Sequence, residues 1–510
     1  MYARYSELLT PDQVRAVHEA ALALLDEVGL LVRNEKARER FRRHGCRVDP
    51  DRQTVTFPRA VVEEFRSLVP PRFTFHARDE EFSKTIPDDA LVVATASSAP
   101  NLLDPETGEE RRSRSGDIAR IGHLVSRLNG IDVFSVSVTA DDAPPGQFSL
   151  SRFYPAVRHC AKPVRTSVID VREAHQVMKL GALVAGSERE FRARPFITFG
   201  YCAIVSPLTM DFDSTEMLMF FAENDLPAYG TIAPIGGISA PLSMMGMLAQ
   251  ITAEWLAAAV LAQMSRPGTP LIHTFLPVVG DRRTGAYAAG AVETGIMAMA
   301  LAQMARFYHV PSGSYLGLTN SKIGDAQAGF EKALSPALAA AAGIDFVVMG
   351  GLLDALMAFD FGQLVIDDEI ALMLKRARQH LSLGNLEEGV AEIREAGPGG
   401  MFVGHAETLE LMKTAAFLPA IADRERREVW LAQGGVDAHA RALERAKQLL
   451  CLPNPGAIPP EIDARVGAGF DDLVPGDVDV PDAWRALCPD ASRGRRVAAP
   501  TRSRRTPGRR

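Results

Sequence analysis

The chain has 510 residues, the length of one large domain with additions or of two or three smaller domains. Its residues are 47% hydrophobic and 23% charged, which is ordinary for a soluble globular protein. The formal net charge of −7 gives no overall reason to expect nucleic acid as a partner.

The cysteines and the apolar runs bear on the compartment. Five cysteines are scattered without a Cys-x-x-Cys pair, so neither a disulfide framework nor a zinc cluster is indicated. A reducing cytoplasm suits this pattern, and the amino terminus lacks the apolar core of a signal peptide. Two apolar runs, residues 244–264 and 286–304, contain polar side chains and lie between strand-like segments, so they indicate buried helices and no membrane span.

The first predicted element is a helix that begins after Thr10. Thr10 suits the N-cap, Pro11 suits the first helical position, and Gln13 completes a capping box. Apolar residues at helical spacing follow, and Gly29 can end the helix in a left-handed conformation. Short strand-like pieces and another helix pattern then predict an N-terminal α+β elaboration over residues 1–85.

Apolar strands and helical patterns alternate over residues 86–394. The predicted strands cover residues 91–97, 133–139, 164–169, 196–202, 228–233, 271–276, 314–318 and 346–351. Because these strands are continuously apolar, they favour a parallel sheet that is covered on both faces. Eight strands with intervening helices predict an α/β fold, a (β/α)8 TIM barrel. A doubly wound open sheet is the alternative that the same pattern allows.

The composition changes after the barrel. Residues 395–452 read as C-terminal helices packed on the barrel, and residues 453–510 are rich in proline and acidic residues and then in arginine. This last pattern predicts an extended, partly disordered basic tail. A solvated tail and a weak contact with a polyanion are the two interpretations of its charge.

The polar stretch at residues 317–335, GLTNSKIGDAQAGFEKALS, is the strongest candidate for a site. A short apolar run precedes it and an alanine-rich helix pattern follows it. This order of strand, loop and helix is where barrel enzymes place their reacting groups. A solvated loop with an ordinary helix start is the alternative interpretation.

Several common signatures of enzyme sites are missing from the sequence. It has no G-x-G-x-x-G after a strand, no G-x-x-x-x-G-K-[ST], no H-E-x-x-H and no G-x-S-x-G. These absences weaken the case for an enzyme that uses a dinucleotide, a nucleoside triphosphate, zinc or a nucleophilic serine.

The polar stretch also carries a family pattern close to L-T-x-S-K-x-x-D-x-Q-A-G-x-E-K. Further matching pieces are ARYSELLT near the amino terminus, VIDDE at residues 365–369 and GPGGMFVGHAETL at residues 397–409. On these pieces the chain, from about residue 5 to about residue 460, resembles the trimethylamine methyltransferase family. The positions that match the main pattern are Leu318, Thr319, Ser321, Lys322, Asp325, Gln327, Ala328, Gly329, Glu331 and Lys332.

The resemblance implies a barrel enzyme that transfers a methyl group from an amine to the Co(I) of a corrinoid (cobalamin) on a separate partner protein. This chain itself would bind no cofactor and no metal. Family members that act on trimethylamine carry pyrrolysine, whereas this sequence has only the twenty standard residues. The implied substrate is therefore a small quaternary ammonium compound, with glycine betaine as the default.

Candidate site residues follow from their positions at predicted strand ends. Asn320, Asp325 and Gln327 are predicted to line the barrel mouth as the catalytic group. Aromatic faces attract a quaternary ammonium, which has no N–H to donate, and a carboxylate adds charge attraction. The predicted substrate-binding residues are Phe199, Tyr201, Tyr229, His273, Phe275, Tyr315 and Glu331. For each aromatic residue, core packing is the alternative.

Three other functions stay open on the sequence alone. They are a lyase or aldolase that uses Lys322 or a divalent cation, a non-catalytic betaine-binding barrel, and a methyltransferase with a different methyl acceptor. A betaine carboxylate would need a donor, for which Arg165, His273 and backbone N–H groups are the candidates. The apolar helices also allow a homo-oligomer.

Overall fold

The computed structural model describes residues 5–87, 91–202, 204–379, 384–412 and 414–487. Its amino-terminal part alternates short helices and strands, as the sequence predicts. These elements are α1 (Pro11–Glu27), β1 (Leu30–Val32), α2 (Glu35–Arg43), β2 (Arg47–Asp49), β3 (Thr54–Thr56), α3 (Arg59–Arg66), β4 (Phe73–Phe75), a 3₁₀ turn (Glu80–Phe82) and β5 (Lys84–Ile86).

Helix α1 begins as its sequence predicts. The Thr10 hydroxyl accepts a hydrogen bond from the Gln13 N–H at 3.2 Å, and the Gln13 side chain accepts one from the Thr10 N–H at 2.9 Å. This capping box satisfies two N–H groups that the first turn would otherwise leave without partners. Val14, Val17 and Ala21 form the buried face of the helix.

The central part of the chain contains the barrel. Its elements are β6 (Val92–Thr95), β7 (Asn101–Leu103), β8 (Glu110–Arg112), α4 (Ser115–Arg127), β9 (Phe134–Ser135), α5 (Leu150–His159), β10 (Val164–Ser167), α6 (Val171–Ala185), α7 (Glu188–Ala193), β11 (Ile197–Tyr201), β12 (Ile204–Val205), β13 (Thr209–Met210), α8 (Phe212–Glu223), β14 (Ala228–Ile232), β15 (Ile235–Gly236), α9 (Met244–Ser265), β16 (His273–Phe275), β17 (Val278–Val279), α10 (Val292–Tyr308), β18 (Ser312–Tyr315), α11 (Ala326–Ala341), β19 (Phe346–Gly350), β20 (Leu352–Leu353), a 3₁₀ turn (Asp354–Leu356), β21 (Ala358–Phe359) and α12 (Phe361–Arg378).

Eight parallel strands form the barrel wall in the order β6-β19-β18-β16-β14-β11-β10-β9. The two ends of this sheet meet, because Ala94 bridges Val133 in parallel and the Thr95 N–H donates to the Val133 carbonyl at 3.2 Å. The predicted (β/α)8 barrel is confirmed, and the open-sheet alternative is excluded by this closure. Hydrophobic side chains of the strands and of the surrounding helices make one continuous core.

An amino-terminal hairpin closes the bottom of the barrel. Strands β4 and β5 pair antiparallel, and the Phe75 ring lies 4.9 Å from the ring of Phe346 and 6.1 Å from that of Tyr229, centroid to centroid. Phe346 is the first residue of β19, so the hairpin sits at the amino ends of the strands. The amino-terminal elaboration therefore seals one end and leaves the carboxyl ends of the strands for ligands.

Helix α9 is one of the two apolar runs that resemble a membrane span. Among the described residues it is long and apolar enough, by length and composition alone, to cross a membrane. Most of it is buried, and it packs on α1, α2, α3 and α8. Glu254, at its centre, is buried and accepts hydrogen bonds from the Leu208 N–H and the Ser206 hydroxyl.

In the carboxyl-terminal part, helices continue beyond residue 453, where the sequence predicts an extended tail. Its helices are α13 (Leu386–Ala396), α14 (Ala406–Leu411), α15 (Arg427–Ala432), α16 (Ala438–Leu450), α17 (Pro460–Gly467) and α18 (Asp482–Arg485). Helix α16 packs on α12 and α4. The structure differs from the predicted extended tail, because α17 packs on α6 and Trp484 of α18 is buried. The arginine-rich end at 493–510 lies outside the described residues.

Candidate active site

The polar stretch after β18 starts helix α11. Asp325 is the N-cap residue, and its Oδ1 accepts hydrogen bonds from the Ala328 N–H at 3.0 Å and from the Ser321 hydroxyl at 2.9 Å. These two donors lower the pKa of Asp325, so the carboxylate stays ionised. The carboxylate therefore caps the start of α11. Asp325 also borders a cleft of about 660 Å³ on the outside of the barrel mouth region.

Asn320, Gln327 and Glu331 form one hydrogen-bonded network in the same stretch. The Glu331 carboxylate accepts from the Asn320 N–H at 2.8 Å and from the Gln327 side chain at 3.0 Å. The Asn320 side chain donates to the Tyr287 carbonyl at 2.8 Å and accepts from the Gly290 N–H at 3.1 Å. The network therefore ties the loop after β18 to the loop after β16.

A cavity of about 380 Å³ opens at the carboxyl ends of the barrel strands. This is the end at which barrel enzymes bind their ligands. Asn320, Asp325, Gln327 and Glu331 are not among its lining residues, so the structure differs from their predicted place in the mouth. Residues at strand ends that do line the cavity are Ser97, Ser167, Cys202, Ala233, Leu276 and Tyr315.

Arg165 of β10 is the main polar group of the cavity. It is 5% exposed, and its Nη1 donates to the Tyr315 hydroxyl at 2.6 Å and to the Ser135 hydroxyl at 3.1 Å. Its guanidinium also lies over the Tyr229 ring, 4.6 Å from the centroid. In the part of the chain that the structure describes, no carboxylate lies within 4.0 Å of this guanidinium, and its Nε has no hydrogen-bond partner.

An unpaired buried charge is costly, because the protein interior solvates it less well than water does. The neutral hydroxyls and the aromatic face offset part of this cost for Arg165, but a counter-ion is missing. The position of the guanidinium beside an open cavity therefore suits an anionic group of a ligand, which a planar arginine fork can bind in a bidentate manner.

Gly200 makes room for this guanidinium. It lies next to Arg165 on the neighbouring strand β11, where the register pairs Arg165 with Thr198 and Ser167 with Gly200. A Cβ atom at Gly200 would be 2.7 Å from Arg165 Nη2, which is closer than such atoms approach. Glycine at this position is thus required by the close approach of the arginine side chain.

A second buried arginine strengthens the positive charge. Arg152 of α5 is 2% exposed and donates to the hydroxyls of Ser98 and Thr166. Burial, together with the nearby charge of Arg165, lowers the pKa of Arg152 to about 10, so Arg152 stays charged at neutral pH. Ser98, which Arg152 binds, also lines the cavity.

Two of the predicted aromatic residues, Tyr229 and Tyr315, lie inside the barrel against Arg165. Phe199 instead stacks on Phe221 of α8, at 4.8 Å between centroids. Tyr201 packs on the same Phe221 at 6.0 Å, although it also borders the cavity. Side chains alternate across a strand, so Gly200 faces Arg165 while its two neighbours face the helices.

His273 and Phe275 also differ from the prediction. The His273 ring contacts Trp255 of α9 at 4.8 Å and Phe275 at 5.5 Å, so both side chains lie between the barrel and its helices. Burial lowers the pKa of His273 to about 3, and neither ring nitrogen has a hydrogen-bond partner in the described residues. His273 is therefore a neutral core histidine and does not supply the donor for a carboxylate.

Arg152, Gly200 and Leu356 border or support the cavity and were not predicted from the sequence. An arginine among apolar residues near the start of a helix is a usable signal for Arg152, since buried arginines need partners. The sequence offers no comparable signal for Gly200 or Leu356. Among the described residues, no group of three or more His, Cys, Asp or Glu side chains is arranged to hold a metal ion.

Comparisons with known proteins show which family the chain matches. Residues 2–470 match the family model described as Trimethylamine methyltransferase (MTTB). Glycine betaine methyltransferase of Desulfitobacterium hafniense (strain Y51) is 31% identical over 465 residues, 90% of this chain and 96% of that protein. Trimethylamine methyltransferase MttB of D. hafniense (strain DSM 10664 / DCB-2) is 27% identical over 453 residues, 89% of this chain and 91% of that protein.

The solved Methanosarcina barkeri monomethylamine methyltransferase (MtmB) has a TM-score of 0.48 at 12% identity, over 91% of this chain and 93% of that chain. The match to the family model spans the barrel, its amino-terminal seal and the helices that follow, and the relative at 31% identity covers nearly the same length. The chain belongs to the trimethylamine methyltransferase family and is a methyltransferase.

Proposed function

We propose that this methyltransferase removes a methyl group from a small quaternary ammonium carboxylate and transfers it to the Co(I) of a corrinoid on a partner protein. Glycine betaine is the reference substrate. The observation that carries the proposal is Arg165, a buried cation at the cavity that has no carboxylate partner among the described residues. The similarity to a glycine betaine methyltransferase supports the same substrate class.

In this proposal Arg165 binds the substrate carboxylate. Nη2 makes no hydrogen bond within the described residues and is the free donor of the guanidinium, while Tyr315 holds Nη1 in place through the 2.6 Å hydrogen bond. Hydrogen bonds between a guanidinium and a carboxylate are about twice as strong as those between neutral groups. The carboxylate would also supply the counter-ion that the buried arginine lacks.

The quaternary ammonium group is proposed to lie against the ring of Tyr315, which borders the cavity from inside the barrel. Each cation–π contact contributes about 0.5–2 kcal/mol, depending on how far water is excluded. No carboxylate borders the described cavity, so the substrate's own carboxylate must balance its positive charge. A quaternary ammonium without a carboxylate, held ~5 Å from Arg165, would be repelled by about 3 kcal/mol at an effective dielectric constant of ~20.

The proposed chemistry needs no acid or base from the protein. A Co(I) corrinoid on the partner protein would supply the nucleophile that takes the methyl carbon, with a cobalt–carbon bond replacing the carbon–nitrogen bond that breaks. Its electron pair stays on nitrogen, which leaves as a neutral tertiary amine. The chain's own residues bind the carboxylate, direct one methyl group outward and exclude water, and such alignment can lower the barrier by about 7–11 kcal/mol.

Replacement of Arg165 by methionine tests the proposal. Arg165→Met should lower kcat/KM for glycine betaine on the order of 10²–10³-fold, since one partner of a buried charged pair is lost. Arg165→Lys keeps the charge but not the planar fork, so its loss should be smaller. Methyl transfer to Co(I) cobalamin, followed by absorbance, is the measurement.

Two comparisons make this experiment specific. Arg172→Met removes an exposed arginine at the start of α6 and should leave kcat/KM nearly unchanged. Tetramethylammonium, which has no carboxylate, should not lose activity in Arg165→Met. A folded Arg165→Met variant that keeps full activity with glycine betaine would contradict the proposed carboxylate site.

A further inference from the structure

The loop between β20 and β21 has an unusual backbone. Three consecutive residues other than glycine have positive φ: Asp354 at 47°, Ala355 at 51° and Leu356 at 76°. Residues with a Cβ rarely adopt this left-handed region, and they do so singly far more often than in runs. Such a run persists only when surrounding contacts over-determine the conformation, and it is typical of functional sites.

The contacts that hold this turn come from the polar stretch after β18. The Asp354 N–H donates to the Ser321 carbonyl at 2.7 Å, and the Ala355 N–H donates to the Thr319 carbonyl at 2.8 Å. The Asp354 carboxylate also pairs with Lys322 Nζ at 3.2 Å. The turn is therefore clamped on one side through backbone and side-chain contacts.

A fully buried lysine anchors the start of the same turn. Lys332 of α11 donates from Nζ to the Leu352 carbonyl at 3.0 Å and to the Gly317 carbonyl at 2.8 Å, and it pairs with Asp367 at 3.1 Å. These contacts fix the ends of β18 and β20 relative to each other. The position of the turn is thus set by two independent groups of contacts.

The last residue of the turn, Leu356, reaches the cavity. Its side chain is half-buried and borders the same cavity as Arg165 and Tyr315, whereas the next residue, Met357, is exposed and does not border it. Leu356 comes from the loop after β19, whereas Arg165 is carried by β10. An apolar side chain presented by a rigid turn fixes the width of a binding site.

We propose that Leu356 is a specificity-determining residue that limits the size of the groups on the substrate nitrogen. The clamped left-handed turn holds its side chain as a fixed wall of the cavity, so that compact trimethylammonium groups fit and bulkier ammonium groups are excluded. This inference rests on the proposed function and adds to it the residue that limits the size of the substrate's ammonium group.

Leu356→Ala tests this inference with two probes. Glycine betaine is the compact probe, and N,N-dimethylproline, whose nitrogen lies in a ring, is the bulky one. Alanine has the same backbone preference as leucine in the left-handed region, so the wall shortens while the turn keeps its conformation. A pocket change of one to a few methylene groups alters discrimination about 10–200-fold. The ratio of kcat/KM, bulky over compact, should therefore rise at least about tenfold.

Calorimetric titration of both probes into the full chain gives a readout that does not need the methyl acceptor. In Leu356→Ala the Kd ratio, bulky over compact, should fall while the kcat/KM ratio rises, because the bulky probe then binds more tightly. Met357→Ala is the matched control, because it shortens a neighbouring side chain that does not border the cavity. Both ratios should stay within about twofold of the wild type in this control.

The outcomes separate the inference from the function on which it rests. A wild-type enzyme that is active with glycine betaine, together with an unchanged ratio in Leu356→Ala, would overturn only the role of Leu356. An equal shift in Met357→Ala would overturn it as well, because the effect would then come from the loop in general. A wild-type chain that neither binds nor demethylates either probe would overturn both proposals.

Discussion

At the scale of single residues, the account depends on buried charges and on their partners. Arg165 has hydroxyl and aromatic neighbours but no carboxylate among the described residues, whereas Lys332 has both an ion-pair partner and carbonyl acceptors. The first arrangement leaves a charge for a ligand to neutralise, and the second is complete without one. The contrast supports the proposed binding role of Arg165 and indicates that Lys332 stabilises the loops around the site.

This role of Lys332 predicts a large loss of stability in Lys332→Met. The substitution removes the cation beside Asp367, whose pKa burial already raises, and leaves three carbonyl groups without their donor. Breaking a buried pair in this way costs about 3–5 kcal/mol. Denaturant unfolding of the full chain measures the loss of free energy.

Lys322→Met is the matched control for that prediction. Its ammonium group is 71% exposed and pairs with Asp354 at the surface. Surface pairs of this kind contribute about 0–1 kcal/mol, so the control should unfold close to the wild type. Equal stability of Lys332→Met and Lys322→Met would contradict the structural role of the buried lysine.

At the scale of elements, the strands and helices could be predicted from the sequence. Which side chains of a strand point into the barrel and which point towards the helices could not. The eight barrel strands are continuously apolar because helices cover the outside and side chains fill the inside. Because polar and apolar residues do not alternate along these strands, nothing in the sequence indicated that Tyr229 faces Arg165 while Phe199 faces α8. The polar stretch at 317–335 follows β18 and runs into α11, as its order of strand, loop and helix predicts, and its side chains serve the helix start and the neighbouring loop.

The contact between helices α12 and α16 predicts that the stability of the fold depends on pH. His439 of α16 lies 2.8 Å from Asp360, the N-cap residue of α12, and this hydrogen bond raises the pKa of His439 despite partial burial. A raised folded-state pKa stabilises the fold below the unfolded value of about 6.5, and this stabilisation is lost as the pH rises through the folded-state value. The nearby Asp437 acts in the same direction.

His439→Gln should therefore lower Tm more at pH 5.5 than at pH 8.5. Glutamine keeps a hydrogen-bonding amide but carries no charge at either pH, so only the charged contribution is removed. Thermal unfolding of both chains at the two pH values is the measurement. A difference in Tm between the chains that does not change with pH would contradict a charged His439 in this contact.

At the scale of the whole molecule, the barrel is sealed at one end and open at the other. The amino-terminal hairpin β4–β5 covers the amino ends of the strands, and Arg165 lies between that seal and the cavity. The barrel itself could be predicted from the count and order of strands. The seal could not, because the contacts of Phe75 with Tyr229 and Phe346 join residues more than a hundred positions apart.

The carboxyl-terminal segment also makes contacts that could not be predicted from the sequence. A tail rich in proline and acidic residues predicts an extended chain from 453 onward, yet Val466 and Trp484 are buried, and their helices α17 and α18 pack on α6 and α16. Composition averages over a segment and does not reveal that two apolar side chains have docking positions elsewhere in the fold.

The most direct measurement of the central claim is methyl transfer by the purified chain to Co(I) cobalamin, with glycine betaine, trimethylamine and tetramethylammonium compared as donors. The account predicts that methylated cobalamin, followed by absorbance, forms fastest with glycine betaine because its carboxylate pairs with Arg165. Equal or faster transfer from tetramethylammonium or trimethylamine would contradict it, as would no transfer from glycine betaine.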